Sequence, residues 1–190
     1  MVSRYTVKHE RQSRDDDLKR HGTYLAVRVA CVLDPFVLAC VDVVNDDGCH
    51  DQDGVRQPET STPDLVLPQD VDWKSIDPHM MDRILTLPNA IASAEKTIAV
   101  TGEMISGPPD YEEWFAERQF QWAGIGLKAM DIARDLRNQY SLPQPDYSRY
   151  DPRTVLEKVF VVEDRRRQEA AELGRRIAKK AREKAEAARS

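Results

Sequence analysis

The chain has 190 residues, a formal net charge of −5, 41% hydrophobic residues and 32% charged residues. This length suits one domain with tails, and the high charged fraction favours long solvated helices over a thick core. The polar start of the chain predicts no secretory signal, and three cysteines, an odd number, suit a reducing compartment, so we expect a cytoplasmic protein.

The first two predicted segments are an arm and a pair of apolar runs. Residues 1–22 lack apolar periodicity, which predicts a disordered arm. Residues 23–44 are rich in valine and are divided by Asp34 and Pro35, which favours a short β-hairpin, with a buried helix as the open alternative. Because Arg28 and Asp42 would be costly in lipid, this stretch is not expected to span a membrane.

Residues 45–72 combine three prolines with many acidic residues, which predicts an acidic linker. Cys49 and His50 stand among aspartates in this segment, the one cluster in the sequence that resembles a metal site. Read as a calcium loop, the segment places Cys49 and Thr60 where carboxylates are needed, and zinc would require a second pair of ligands. We therefore predict neither a metal nor a cofactor.

Residues 73–164 predict a helical bundle domain. Asp77 followed by Pro78 favours a helix start, and isoleucine then recurs at every seventh position up to Ile105. A second helix is predicted to begin at Asp110 with a capping box to Glu113. The seams of the two helices contain these residues: Ile84, Ile91, Ile98 and Ile105; Phe115, Trp122, Ala129 and Leu136.

The short connection between these two helices predicts an antiparallel hairpin in which Ile98 faces Trp122. A long third helix is predicted to begin at Asp151 and Pro152 and to continue into a basic helical tail, residues 165–190, with 10 basic and 4 acidic side chains. The predicted fold class is therefore mainly α: an antiparallel helical hairpin plus a long third helix, behind a disordered arm and a possible short β-hairpin.

Two surfaces are candidates for binding. Trp114, Phe120 and Trp122 occupy more than one face of the second helix, which predicts a partner interface unless the rest of the chain covers them as core. The tail carries a basic row that could follow the phosphates of nucleic acid, although a solvated helix explains the same pattern. This basic row consists of Arg167, Arg175, Arg182 and Arg189.

The sequence offers no pairing of a nucleophile with a base, no carboxylate-bridged metal motif and no phosphate-binding glycine loop. We therefore predict a non-enzymatic helical interaction and assembly module that binds itself or another protein. Self-association would use the aromatic part of the second helix or the valine-rich segment. The alternative is an accessory protein that binds nucleic acid through its C-terminal helix, and a third hypothesis is an enzyme whose site a partner completes.

Overall fold

The computed structural model describes the backbone of residues 4–187 and the side chains of residues 16–182. This part of the chain is mainly helical, which confirms the predicted fold class. Its α-helices are α1 (Arg4–Val44), α2 (Pro78–Met104), α3 (Glu112–Gln139) and α4 (Pro152–Ala187). A single 3₁₀ turn, Trp73–Ser75, precedes α2, and two short strands, β1 (Cys49–His50) and β2 (Arg56–Gln57), form an antiparallel pair.

Residues 23–44 form the C-terminal half of α1, so the β-hairpin prediction is wrong and the buried-helix alternative is confirmed. The physical reason is that the buried residues recur every three or four positions, which is the period of a helix, and packing against other helices overrides the strand preference of valine. The buried face of α1 lies mainly against α3. It includes Leu25, Val29, Leu33, Val37, Cys40 and Val44.

The predicted disordered arm is also helical in the structure. Residues 4–22 continue α1 toward the N-terminus, and residues 1–3 lie outside the described part of the chain. Once a buried helix is nucleated, each added residue gains one backbone hydrogen bond, so α1 can extend beyond the region that packs. The side chains of residues 16–21 are exposed on this extension.

The helices α2 and α3 form the predicted antiparallel hairpin. Arg83 Nη1 donates to Asp135 Oδ2 at 2.8 Å across the pair, and Ile98 lines the same surface cavity as Trp122. Two details of the prediction are wrong. Ile105 is exposed just beyond the end of α2 and so lies outside the seam, and the residue before α3 is Tyr111, without a side-chain cap, rather than Asp110.

The helix α3 lies at the centre of the structure because α1, α2 and α4 all pack on it. Gly126 lies where α3 packs closely against both α1 and α4. A Cβ atom at this position would lie 2.9 Å from Leu156 Cδ1 of α4 and 3.1 Å from Cys40 Cβ of α1, so a side chain here would separate the helices. As predicted, α4 begins at Pro152, with the Asp151 carboxylate accepting a hydrogen bond from the backbone N–H of Arg153.

The segment predicted as an acidic linker has little regular structure, yet it is packed against the helices. Pro63 and Pro68 are buried, and so is Asp46. At Gly48, φ is +70° and a Cβ atom would lie only 2.5 Å from Phe115 Cζ, so glycine permits both the turn and the close contact with α3. Within residues 4–187, no helix is long and apolar enough to cross a membrane.

Candidate functional site

The outward face of α1 carries a row of exposed side chains of low polarity. Tyr24 is 60% exposed, Val27 40% and Leu38 47%, and Cys31 and Pro35 are exposed between them. We call these five residues the outer stripe. At about 100° per residue they lie within roughly 80° of one another around the helix axis, so they form one continuous face.

The outer stripe differs from scattered surface hydrophobic residues because its members follow the spacing of a helix-packing seam. Tyr24, Cys31 and Leu38 are separated by seven residues each, with Val27 and Pro35 in the intervening turns. Such spacing is typical of a helix that packs against another helix. Since the opposite face of α1 is buried on α3, the fold presents this stripe on a rigid support.

The structure separates the three aromatic residues of the predicted interface. Trp122 is only 1% exposed and lies edge-on to Phe36 of α1, so it belongs to the core and is not available to a partner. Phe120 is half-buried and stacks on Phe160 of α4, with ring centroids 5.0 Å apart. Trp114 is half-buried beside Phe115, so the chain itself covers Trp122 completely and the other two residues in part.

The predicted basic row is divided as well. Arg167 is held within the chain, because Nη2 donates to Glu117 Oε2 at 2.8 Å and Nε donates to Glu163 Oε1 at 3.0 Å, while its guanidinium lies 4.1 Å from the centre of the Phe120 ring. This engagement removes Arg167 from a surface that could follow phosphates. Arg175 and Arg182 are exposed on the projecting part of α4, and Arg189 lies outside the described residues.

A buried ion pair that the sequence analysis missed joins the segment after α1 to α3. The side chains of Asp46 and Arg118 are 0% and 4% exposed, and Arg118 Nη1 donates to Asp46 Oδ2 at 2.9 Å. Arg118 Nη2 also donates to the carbonyl oxygen of Thr60 at 2.8 Å and to its hydroxyl at 2.9 Å. We call Asp46, Thr60 and Arg118 the Asp46 cluster.

The Asp46 carboxylate accepts hydrogen bonds from several groups of its own chain. Burial alone would raise its pKa, but hydrogen bonds from the Thr60 hydroxyl and from the backbone N–H groups of Thr60, Glu59 and Gly48 outweigh that effect and lower the pKa. No buried side-chain nitrogen or oxygen in the described region lacks a hydrogen-bond partner. The polar groups of the Asp46 cluster bind one another, so the cluster is a structural contact rather than a binding site.

A cavity of about 360 Å³ lies between α1, α3 and the segment before α4. Three of its charged side chains form ion pairs: Arg137 pairs with Asp34, which also lines the cavity, and Arg153 pairs at 2.6 Å with Asp131, which lies outside the lining. Tyr147 also lines the cavity, and burial and then the nearby Asp34 carboxylate raise its pKa. A charged ligand that binds Arg137 or Arg153 would first have to break these pairs.

Cys49 and His50, the residues weighed as metal ligands, form β1 at the surface. His50 Nε2 lies 3.0 Å from Asp110 Oδ1, and Asp51 accepts hydrogen bonds from the backbone of its own turn. Among the residues that the structure describes, no group of three or more histidine, cysteine, aspartate or glutamate side chains is arranged to hold a metal ion.

A comparison of the chain with protein-family profiles, with curated proteins and with solved structures finds no match in any of the three. Function therefore has to be inferred from the surfaces and contacts of this chain alone.

Proposed function

We propose that this protein is a non-enzymatic helical assembly module that associates with further copies of itself through the outer stripe of α1. The observation that supports the proposal is the stripe itself: exposed side chains at seven-residue spacing on the outer face of a helix whose inner face is buried. Covering such a stripe removes apolar area from water, which favours association by about 25 cal/mol per Å² before the costs of binding.

The ionic contacts of the chain support a structural role over a catalytic one. Arg137 and Arg153, which line the 360 Å³ cavity, each form an ion pair within the chain, and the polar groups of the Asp46 cluster are paired with one another. Catalytic sites, by contrast, hold titratable groups ready to act on a substrate. In this protein the Asp46 carboxylate, whose pKa is lowered, accepts its hydrogen bonds from groups of its own chain.

The proposal predicts that the full chain forms a dimer or larger assembly at micromolar concentration, as measured by sedimentation velocity or light scattering. Replacing Val27 and Leu38 together with glutamine should weaken that association on the order of 100-fold, because each copy loses two apolar side chains from the interface. Glutamine is a good helix former, so α1 should keep its structure, which circular dichroism would verify.

The matched control is Leu85→Gln on α2. Leu85 is 41% exposed, close to the 47% of Leu38, but it lies on another helix away from the outer stripe. This control should leave the association unchanged. A strictly monomeric wild-type chain, or an equal effect of Leu85→Gln, would contradict the proposal.

A second candidate function is nucleic-acid binding, which the exposure of Arg175 and Arg182 on the projecting part of α4 favours. If these residues contact phosphates, affinity for duplex DNA should fall steeply between about 50 and 200 mM salt. Replacing both with glutamine should then reduce the slope of log affinity against log salt by about 2, whereas Lys128→Gln on α3 should not. Binding that is absent or insensitive to salt would exclude this function.

A further inference from the structure

We infer that the partner of the outer stripe is the same stripe of a second copy, arranged antiparallel around a twofold axis that passes beside Cys31. This inference rests on the proposed function and specifies the geometry of the association. In a twofold dimer each residue contacts its counterpart reciprocally, so one surface must be complementary to itself. The outer stripe and its flanking charges meet that requirement.

The apolar members of the stripe are symmetric about Cys31. When two antiparallel helices meet with Cys31 facing Cys31, positions equally far from it on opposite sides face each other. Tyr24, seven residues before Cys31, then faces Leu38, seven residues after it. Val27 and Pro35, four residues away on either side, also face each other. Each large apolar side chain therefore meets another, and a small thiol lies at the centre, where the helices approach most closely.

The charges that flank the stripe are complementary in the same arrangement. Arg20 and Asp42 lie eleven residues before and after Cys31, on the face of the outer stripe, and both are exposed. The antiparallel pairing therefore brings Arg20 of each copy to Asp42 of the other. Among the side chains of residues 16–182, Arg20 forms an ion pair with the exposed Asp17 at 2.7 Å, and no ion pair of Asp42 is found.

The charges also decide between the two possible orientations. A parallel dimer in register would place Arg20 against Arg20 and Asp42 against Asp42, and like charges in facing positions oppose association. The antiparallel arrangement also brings Arg28 of each copy to Asp34 of the other, since these residues lie three positions before and after Cys31. Each already has a partner in its own chain: Asp70 at 3.2 Å for Arg28, and Arg137 for Asp34. The antiparallel contact would extend over about 33 Å from Arg20 to Asp42.

Charge reversal tests the orientation. Arg20→Glu alone and Asp42→Arg alone should each weaken self-association about tenfold, because each creates two repulsive contacts per dimer. An equimolar mixture of the two variants should recover wild-type affinity as a mixed dimer, since both contacts are then attractive. Lys19→Glu is the matched control: it makes the same charge change one residue away, about 100° around α1 from Arg20 and outside the outer stripe, and should have no effect.

Cross-linking tests the position of the axis. In a Cys49→Ser background, a short bismaleimide should link two chains through Cys31, and the Cys31→Ser chain should give no covalent dimer. A protein that self-associates but neither cross-links through Cys31 nor responds to the charge reversals would refute this geometry and leave the proposed function standing. A chain that remains monomeric at every concentration would refute both.

Discussion

Replacing Asp46 with alanine should lower the free energy of unfolding by about 3 to 5 kcal/mol. The substitution leaves the guanidinium of Arg118, 4% exposed, without its carboxylate. It also frees the backbone N–H groups of Gly48, Glu59 and Thr60, which donate to Asp46 in the native structure. Unpaired charges and donors that stay buried are expensive, so the loss exceeds that of a single hydrogen bond. Urea unfolding followed by circular dichroism would measure it.

The neighbouring residue provides the control. Asp47 is also an aspartate at the end of α1, but it is exposed, and its carboxylate accepts one hydrogen bond from Gln119 at 3.3 Å. Asp47→Ala should therefore cost less than about 1 kcal/mol. Equal losses for the two alanine variants would contradict the conclusion that the Asp46 cluster anchors this segment to α3.

The dependence on pH gives the same prediction a second readout. Since the pKa of Asp46 is lowered in the folded state, its ionisation stabilises the protein above the unfolded pKa of about 3.9, and that contribution is lost as pH falls toward the folded value. The stability difference between wild type and Asp46→Asn should hence be constant from about pH 6 to 8 and shrink below about pH 4. A difference independent of pH would show that the pKa of Asp46 is the same in the folded and unfolded states.

The spacing of apolar residues in the sequence predicts that α1 is helical, although its composition favours strands. The valine content of residues 23–44 favours strands, but Leu25, Val29 and Leu33 are separated by four residues each, which is helical spacing. Strand preference reflects how a side chain packs, and in this fold α3 supplies a helical surface to pack on. Periodicity is therefore the stronger signal where the two disagree.

The outer stripe could be found from the sequence only in part. A helical reading of residues 23–44 places Tyr24, Cys31 and Leu38 on one face. That reading cannot say which face α3 covers, because apolar side chains surround much of this helix. Burial in the folded chain makes the distinction, and it moves the candidate interface from the aromatic part of α3 to α1.

Sequence patterns could not predict the Asp46 cluster. Asp46 and Arg118 are 72 positions apart, and a charged residue on its own is most often solvated. Their meeting depends on how the segment after α1 returns to α3, which no local propensity specifies. The same holds for Arg167, whose ion pair with Glu117 joins residues 50 positions apart and removes one member of the predicted basic row.

Replacing Trp122 with alanine should lower the free energy of unfolding by about 3 to 5 kcal/mol, because the ring is 1% exposed and its removal leaves a cavity between α1, α2 and α3. The same change at Trp114, which is half-buried, should cost only about 1 to 2 kcal/mol. Chemical denaturation of both variants measures this contrast under identical conditions.

The two tryptophan variants also test whether the core or the interface is affected. If α1 carries the contact between copies, Trp122→Ala should leave the dimer dissociation constant unchanged under conditions where the variant is still folded, and Trp114→Ala should do the same. Replacing Val27 and Leu38 with glutamine should have the reverse effect. Association should weaken, and the stability of the single chain should change little because both residues are exposed. A loss of association on replacing Trp114, without loss of stability, would instead place the interface on α3.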